Sequence, residues 1–154
     1  DNEKEEIKEV VKRFTEGRNV KIIPTNSEDF TMMMKVKDAL ESNEIVCMLG
    51  DRVMGSEGFK KIKFLGVEAR IPSYPFEIAA LTGAPIITAV TVKTGVKIYR
   101  QKVYNYIPFD NVTRKNRKQY ITDSMEKYVA ILEDMVMESP YQWFNFYDYW
   151  EEGL

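Results

Sequence analysis

The sequence contains no histidine and only one cysteine among its 154 residues. The missing histidine excludes Ser–His and Cys–His nucleophilic pairs within these residues, and it excludes metal sites built on imidazole. The single cysteine, Cys47, cannot form an internal disulfide, which agrees with a reducing cytoplasm. No apolar run approaches the roughly 20 residues that a membrane-spanning helix needs. We therefore expect any membrane contact to be made by the surface of the chain or by a part outside these residues.

An excess of either charge is also missing, because 22 basic and 24 acidic residues give a formal net charge of −2. Proteins that bind nucleic acid mainly through its phosphates carry a basic excess, so nucleic acid is not an expected partner. The chain is 44% hydrophobic and 12% aromatic. This composition excludes intrinsic disorder, and the length is that of a single domain, 1–154, with a substantial core.

The spacing of apolar residues predicts alternating helices and strands. Helices are predicted over 1–18, from Ser27 to about Ser42, at Phe76–Leu81 and from about Lys115 to Glu138. Strands are predicted at Val20–Ile23, Ile45–Leu49, Lys60–Leu65, Val67–Ile71, Pro85–Val92 and Val96–Tyr104, with Thr94-Gly95 as the last turn. The pattern predicts an α/β fold with a mixed sheet flanked by helices, an α/β core at 19–138 and an aromatic tail at 139–154.

The first candidate site is Gly50-Asp51-Arg52, directly after the apolar run Ile45–Leu49. In open α/β sheets, functional residues gather beyond the carboxyl ends of buried strands, and here glycine would allow a turn that presents an acid and a base. The alternative is a simple turn, in which Asp51 bonds to the backbone and Arg52 is solvated or paired. The tripeptide alone favours the turn.

The second candidate is a basic run on two predicted strands, formed by Lys60, Lys61, Lys63 and Arg70 beside Phe64. Positive charge next to apolar surface suits an anionic amphiphile, such as a phosphorylated lipid or an acyl carrier. The alternative is a strand pair with its lysines on the wet face, and without further observations that alternative is favoured.

The third candidate is the aromatic tail from Tyr141 to Trp150. Aromatic residues of this kind favour membrane interfaces, where one end of the ring is dry and the other wet. The alternative is that the tail packs on the domain and closes the core. We expect such packing for Trp143 and Phe144, whereas Tyr149 and Trp150 are compatible with both interpretations.

Several blocks, in order and over about residues 20–150, resemble the lysophospholipid acyltransferase superfamily. Within it, the closer match is the branch that contains the bacterial lipid A biosynthesis (lauroyl/myristoyl) acyltransferases. The blocks read Asp38-Ala39-Leu40-Glu41, then Ile45-Val46-Cys47-Met48-Leu49-Gly50-Asp51-Arg52, Lys63-Phe64-Leu65-Gly66-Val67-Glu68-Ala69, Pro75-Phe76-Glu77-Ile78-Ala79-Ala80-Leu81-Thr82-Gly83-Ala84-Pro85 and Pro140-Tyr141-Gln142-Trp143-Phe144. No block is specific alone, but their order and spacing are.

The resemblance implies an α/β/α sandwich that moves a fatty acyl group to a hydroxyl of a lipid acceptor at the cytoplasmic face of the inner membrane. It implies acyl carrier protein or coenzyme A as the acyl donor, and no bound cofactor. The general base in such enzymes is the histidine of a His-x-x-x-x-Asp/Glu motif that precedes all of these blocks. Its absence here, with a start at Asp1, leads us to expect the C-terminal part of a longer enzyme, inactive alone and prone to self-association.

The resemblance also assigns residues to the site. Asp51 is expected to order the site, and Arg52 to hold the acceptor phosphate or the loop. Four further residues are expected to line the site: Gly55, Phe64, Gly66 and Arg70.

Departures from the family pattern bear on which lipid accepts the acyl group. Tyr74 stands where glycine is common, and residues 145–148 replace a histidine and an arginine after the tryptophan. The Glu-Gly-Thr-Arg block of glycerol-phosphate enzymes is absent, which favours a lipid A-like or other glycolipid acceptor.

Two alternative hypotheses remain at this point. The chain can be a lipid- or carrier-binding module of the same fold without chemistry, an interpretation that the missing histidine favours. It can also be a generic α/β small-molecule binder, which a structure without a cleft beside Asp51 and Arg52 would support.

Overall fold

The computed structural model describes residues 9, 13, 15–23, 30–53, 57–146 and 148–150. The helices are α1 (Phe30–Glu41), α2 (Tyr74–Thr82) and α3 (Arg117–Glu138), followed by a 3-10 turn at Pro140–Gln142. The strands are β1 (Phe59–Phe64), β2 (Val67–Pro72), β3 (Ile86–Gly95) and β4 (Ile98–Ile107). The mixture of helices and strands confirms the α/β class that the sequence predicts.

The described strands form two separate antiparallel pairs, β1–β2 and β3–β4. Sequence patterns predict both hairpins, and in the first the chain reverses at Leu65-Gly66, where both residues have positive φ. The second turn lies at Val96-Lys97, so its prediction at Thr94-Gly95 is wrong by two residues. A register shift between Lys93 and Gly95 carries Gly95 into the ladder opposite Ile98, which moves the turn along the chain.

Helix α3 organises the core. Its stripe is predicted correctly, since one face is buried along 22 residues at Ile121, Ser124, Met125, Val129, Leu132 and Val136. This face packs against β1, α2 and the segment that follows the helix. The largest buried partners come from other elements: Phe64, Ile71, Phe76 and Phe109. Apolar burial of this kind contributes about 25 cal/mol per Å², so the buried face of α3 stabilises the domain.

Helix α2 also agrees with its sequence signals. Pro75 lies in its first turn, where a missing N–H costs no helical hydrogen bond. Gly83 ends the helix in the left-handed conformation, with φ of 75°, and its N–H donates to the carbonyl of Ala79. A residue without Cβ adopts this conformation without steric cost, which makes glycine the usual residue at this position.

Two predicted strands are not strands in the structure. Val20–Ile23 and Ile45–Leu49 have no regular secondary structure, and Ile45 and Leu49 are 93% and 80% exposed. The prediction of a buried strand at Ile45–Leu49 is therefore wrong. An extended segment becomes a strand only when a neighbour satisfies its N–H and C=O groups, and no described strand pairs with either run. Without these two strands, the predicted mixed sheet is replaced by two antiparallel pairs.

Two further predictions concern the N-terminal end of the chain: the helix over 1–18 and the N-cap Ser27. Positions 9, 13 and 15 are helical, whereas the rest of the predicted helix at 1–14 lies outside the described residues. The predicted N-cap Ser27 also lies outside them, and α1 is described from Phe30. Among the described residues, no helix combines the length and apolar character needed to cross a membrane.

Candidate functional site

The segment Gly50-Asp51-Arg52 is held against the body of the domain by two tyrosines. Gly50 lies so close to Tyr128 that a Cβ at this position would stand 2.7 Å from the tyrosine hydroxyl oxygen. Only glycine allows this approach without a shift of the ring. The hydroxyl of Tyr149 donates a hydrogen bond of 2.9 Å to the backbone carbonyl of Asp51. Both contacts restrict the conformation of the segment from its inner side.

Arg52 is fixed on one side and open on the other. Its Nη2 donates a hydrogen bond of 2.8 Å to the carbonyl of Phe144, and its Nε lies 3.7 Å from Oδ2 of Asp51. The side chains of Arg52 and Asp51 are 47% and 23% exposed. Within the described part of the chain, the other guanidinium N–H groups have no partner. The remaining N–H groups of Arg52 are therefore positively charged, oriented hydrogen-bond donors that face solvent.

The acidity of Tyr128, which lies beside this segment, is altered by its surroundings. Burial raises the pKa of its hydroxyl well above the ordinary value, and the charge of Asp51 and the nearby Tyr149 raise it further. A tyrosine in this state remains neutral throughout the physiological range. Tyr128 therefore contributes an uncharged side chain beside Gly50 and does not act as a proton acceptor.

The aromatic tail forms the wall behind Asp51. The ring of Phe64 lies 5.1 Å from that of Trp143, 5.6 Å from Tyr149 and 6.0 Å from Trp150, measured between centroids. The indole N–H of Trp150 donates to the carbonyl of Phe64 at 3.2 Å. The first two pairs are edge-to-face and the third is stacked, and aromatic pairs of these kinds contribute about 0.5–1.5 kcal/mol each beyond their burial. We call these four residues the tail cluster.

The structure agrees with part of the packing predicted for the aromatic tail and disagrees with part. The predicted packing of Trp143 is confirmed, and Tyr149 and Trp150, for which two interpretations were open, pack in the same cluster. The predicted packing of Phe144 is wrong, because its side chain is exposed. Residues alternate in this extended stretch, so that Trp143 and Asn145 face inward while Phe144 and Phe146 face outward. Both amide atoms of Asn145 are buried without a hydrogen-bond partner among the described residues.

The remaining predicted site residues lie in different surroundings. Phe64 is fully buried in the tail cluster, behind Asp51 and not on an open surface. Gly66 is exposed at the tip of the β1–β2 hairpin. Arg70 lies on the face of β2 opposite the buried Ala69 and Ile71, with its guanidinium carbon 4.9 Å from the centroid of the Phe59 ring. Gly55 lies outside the described residues.

The basic run belongs to a groove of mixed charge. Nζ of Lys60 donates a hydrogen bond of 3.0 Å to the hydroxyl of Thr122 on α3. The groove between β1 and α3 has a volume of about 390 Å³ and is lined by three lysines and three glutamates: Lys60, Lys61, Lys63, Glu68, Glu126 and Glu133. Opposite charges in equal number give little attraction for an anion, so the structure favours a solvated strand face here.

Two residues of the site were missed by the sequence prediction. Tyr128 was assigned to the apolar stripe of α3, and nothing in that periodicity indicates its approach to Gly50. Tyr149 was assigned to the aromatic tail without a partner. Their contacts join residues far apart in the chain, so no local pattern could have identified them. Among the described residues, no group of His, Cys, Asp or Glu side chains could hold a metal ion.

Comparison with known proteins bears on what this arrangement does. The family model of the bacterial lipid A biosynthesis acyltransferases matches residues 1–152. A comparison with curated proteins gave no match. The matched range includes the Asp51–Arg52 segment, both hairpins, the three helices and the tail cluster. Because the match extends over nearly the whole sequence, this chain belongs to the bacterial lipid A biosynthesis acyltransferase family.

Proposed function

We propose that this chain is the acceptor-binding part of an O-acyltransferase that acts at the cytoplasmic face of the inner membrane. It moves a fatty acyl group from acyl carrier protein or coenzyme A to a hydroxyl of a lipid A-like acceptor, or of another membrane glycolipid or phospholipid. The observation that carries this proposal is the orientation of Arg52, whose guanidinium is fixed on one side and open to solvent on the other, in a chain of this family.

Arg52 has the chemistry to bind a phosphate of the acceptor. A guanidinium presents planar pairs of N–H groups that match two phosphate oxygens, and charge-assisted hydrogen bonds are about twice as strong as neutral ones. Asp51 lies near Nε and restrains the same side chain. The phosphate anchor would place an acceptor hydroxyl at a fixed distance from the segment, which is how binding lowers the entropic barrier to transfer.

The transfer step needs a base that this chain does not contain. The acceptor hydroxyl loses a proton as its oxygen attacks the thioester carbonyl, and the donor thiolate leaves and takes up a proton. General-base assistance contributes about 10²- to 10⁴-fold to such a step. The resemblance implies a histidine for this role, and none of the 154 residues is a histidine. We therefore assign the base to a His-x-x-x-x-Asp/Glu motif outside these residues.

A second function deserves a test, because the missing histidine favours it directly. In that case the chain binds an acidic lipid or an acyl carrier with the same site and performs no chemistry. The two functions differ in what the gene encodes ahead of Asp1. A strand-like run followed by His-x-x-x-x-Asp/Glu supports the acyltransferase, whereas a natural start directly before Asp1 supports the binding module.

The decisive assay measures transfer from acyl-CoA or acyl-carrier protein to a lipid A-type disaccharide. We expect no turnover from the 154-residue chain and turnover from the polypeptide that includes the upstream motif. In that polypeptide, Arg52→Gln should raise KM for the acceptor about 10- to 100-fold, because a charged hydrogen-bonding partner is lost. Arg114→Gln, which changes an exposed arginine before α3, is the matched control. Robust turnover by the short chain, or an unchanged KM in the Arg52 variant, would contradict the proposal.

A further inference from the structure

The stretch from Trp143 to Phe146 displays two phenylalanines beside the candidate site. Phe144 and Phe146 are 60% and 92% exposed, and their ring centroids lie 6.3 Å apart. The carbonyl that accepts the hydrogen bond from Arg52 belongs to Phe144 itself. The pair and the guanidinium are therefore parts of one local surface, which we call the Phe144–Phe146 surface.

The backbone that carries these rings is anchored from the inside. Trp143 packs in the tail cluster, with its ring centroid 4.8 Å from Tyr149, and the bond from Arg52 holds the next carbonyl. A loosely attached segment could turn its phenylalanines inward and remove their rings from water. Here the anchored backbone keeps both rings outward, so their exposure to water is built into the fold and is unfavourable for the isolated chain.

An aromatic pair beside an open arginine matches the chemistry of a lipid bilayer surface. Aromatic rings settle at the boundary between headgroups and acyl chains, while an arginine can keep its charged end among the phosphates. The exposed acid Asp148 and the carboxylate of Asp51 oppose part of this attraction, so the aromatic contribution must dominate. Met48 and Leu49, which precede the site in sequence, are also exposed and apolar.

We propose that the Phe144–Phe146 surface contacts the interface of an anionic phospholipid bilayer and brings Arg52 to the level of the lipid phosphates. This inference rests on the proposed function, because a lipid acceptor is reached from the bilayer. It names the part of the chain that meets the membrane. It also explains why the aromatic tail has one buried half, which holds the site, and one exposed half.

The test measures partition of the full 154-residue chain onto vesicles of equimolar phosphatidylcholine and phosphatidylglycerol by flotation. The double variant Phe144→Ser/Phe146→Ser should bind these vesicles roughly tenfold more weakly, because two rings no longer enter the interface. Ile98→Ser/Tyr99→Ser removes two exposed apolar side chains from β4 and is the matched tyrosine control. Phe146→Trp should retain binding, since tryptophan also favours the interface. Thermal unfolding checks that each variant is folded.

The outcomes separate this inference from the proposed function, because partition requires no acyl transfer. Loss of binding in the phenylalanine variant alone supports the inference even if no chain containing this one transfers acyl groups. Equal binding by wild type and that variant overturns it, as does a loss confined to the tyrosine control. A change in dimerisation without vesicles, with unchanged partition, would identify the surface as a protein contact and also overturn it.

Discussion

At the scale of single residues, the candidate site depends on partners that are remote in sequence. Asp51 and Arg52 are bonded to residues 98 and 92 positions away, Tyr149 and Phe144. Each bond involves a backbone carbonyl, so its geometry depends on where the chain runs and not on the identity of the acceptor residue. The segment would keep its charges without these bonds, but the guanidinium of Arg52 would sample many orientations and bind a phosphate less tightly.

Tyr149→Phe removes one of these bonds. The substitution keeps the ring in the tail cluster and removes only the hydroxyl that donates to Asp51. We expect the free energy of unfolding to fall by about 1 kcal/mol, which is typical for one such hydrogen bond. We also expect faster hydrogen exchange at the amides of residues 50–53, measured by mass spectrometry.

Tyr120→Phe is the control for this variant. The hydroxyl of Tyr120 also donates to a backbone carbonyl, that of Pro108, at 2.6 Å. We expect it to cost a similar amount of stability without changing exchange at 50–53. If both variants leave that exchange equal to wild type, the hydroxyl of Tyr149 does not order the segment, and its role is limited to general stability.

At the scale of elements, the parts that sequence patterns predicted are those whose information is local. The buried residues of α3 recur every three to four positions, which is visible in the sequence. Gly83 ends α2 in a left-handed conformation, which depends only on the residue at that position. The run Ile45–Leu49 shows the limit of this reasoning. Its apolar character predicts burial, but a strand also needs a neighbour, which the run itself does not encode, and Ile45 and Leu49 are exposed in the structure. The charged pair Asp51–Arg52 was predicted as a site because it follows this run, and that reason fails because the run is not a strand. The tyrosine partners of the pair depend on tertiary packing.

The β3–β4 turn contains strain that a substitution can relieve. Lys97 is exposed and has a φ of 59°, a conformation that costs most residues roughly 1–2 kcal/mol and that asparagine tolerates. Lys97→Asn should therefore raise the free energy of unfolding by about 0.5–1 kcal/mol in urea denaturation. Leu65, with a φ of 52°, is a poorer choice because it is only 38% exposed, and its lost burial would offset the gain.

Val96→Asn tests the source of this gain. Val96 is adjacent in the same turn and is exposed, but its φ is not positive. We expect no gain in stability from this substitution. An equal gain from both variants would show that polarity at the turn is the cause, and not the relief of a left-handed conformation.

At the scale of the whole molecule, apolar surface is distributed unevenly. Strand alternation, together with the register shift between Ile87 and Ala89, places four apolar residues on the outward face of the β3–β4 hairpin. Ile87 lies opposite Tyr106, and Ala89 lies opposite Val103. All four are exposed. A contiguous apolar face of this kind is typical of a protein–protein contact and not of a surface that remains in water. These four residues are not part of the Phe144–Phe146 surface, although Gln142 of the tail bonds to the backbone of Lys93 in the same hairpin.

We expect this hairpin face to drive self-association of the 154-residue chain. Two copies that cover the face with each other remove apolar area from water. No other described strand pairs with β3 or β4, but the side chain of Gln142 bonds to the N–H and C=O of Lys93, so the edge of β4 is the one that can extend the contact. Sedimentation equilibrium should show an apparent mass that rises with concentration. Val103→Lys should shift this association to clearly higher concentration, because pairing two copies would then bury an uncompensated charge.

Val96→Lys supplies the comparison, since it also replaces an exposed valine by lysine but lies in the turn and not on the face. It should associate like wild type. The Phe144→Ser/Phe146→Ser chain should do the same, because its change lies on the tail. If wild type remains a monomer at all concentrations, or if the two lysine variants behave alike, the hairpin face is not an interface between copies. If Val103→Lys alone is monomeric, the hairpin face is the contact between copies, and the Phe144–Phe146 surface takes no part in that contact.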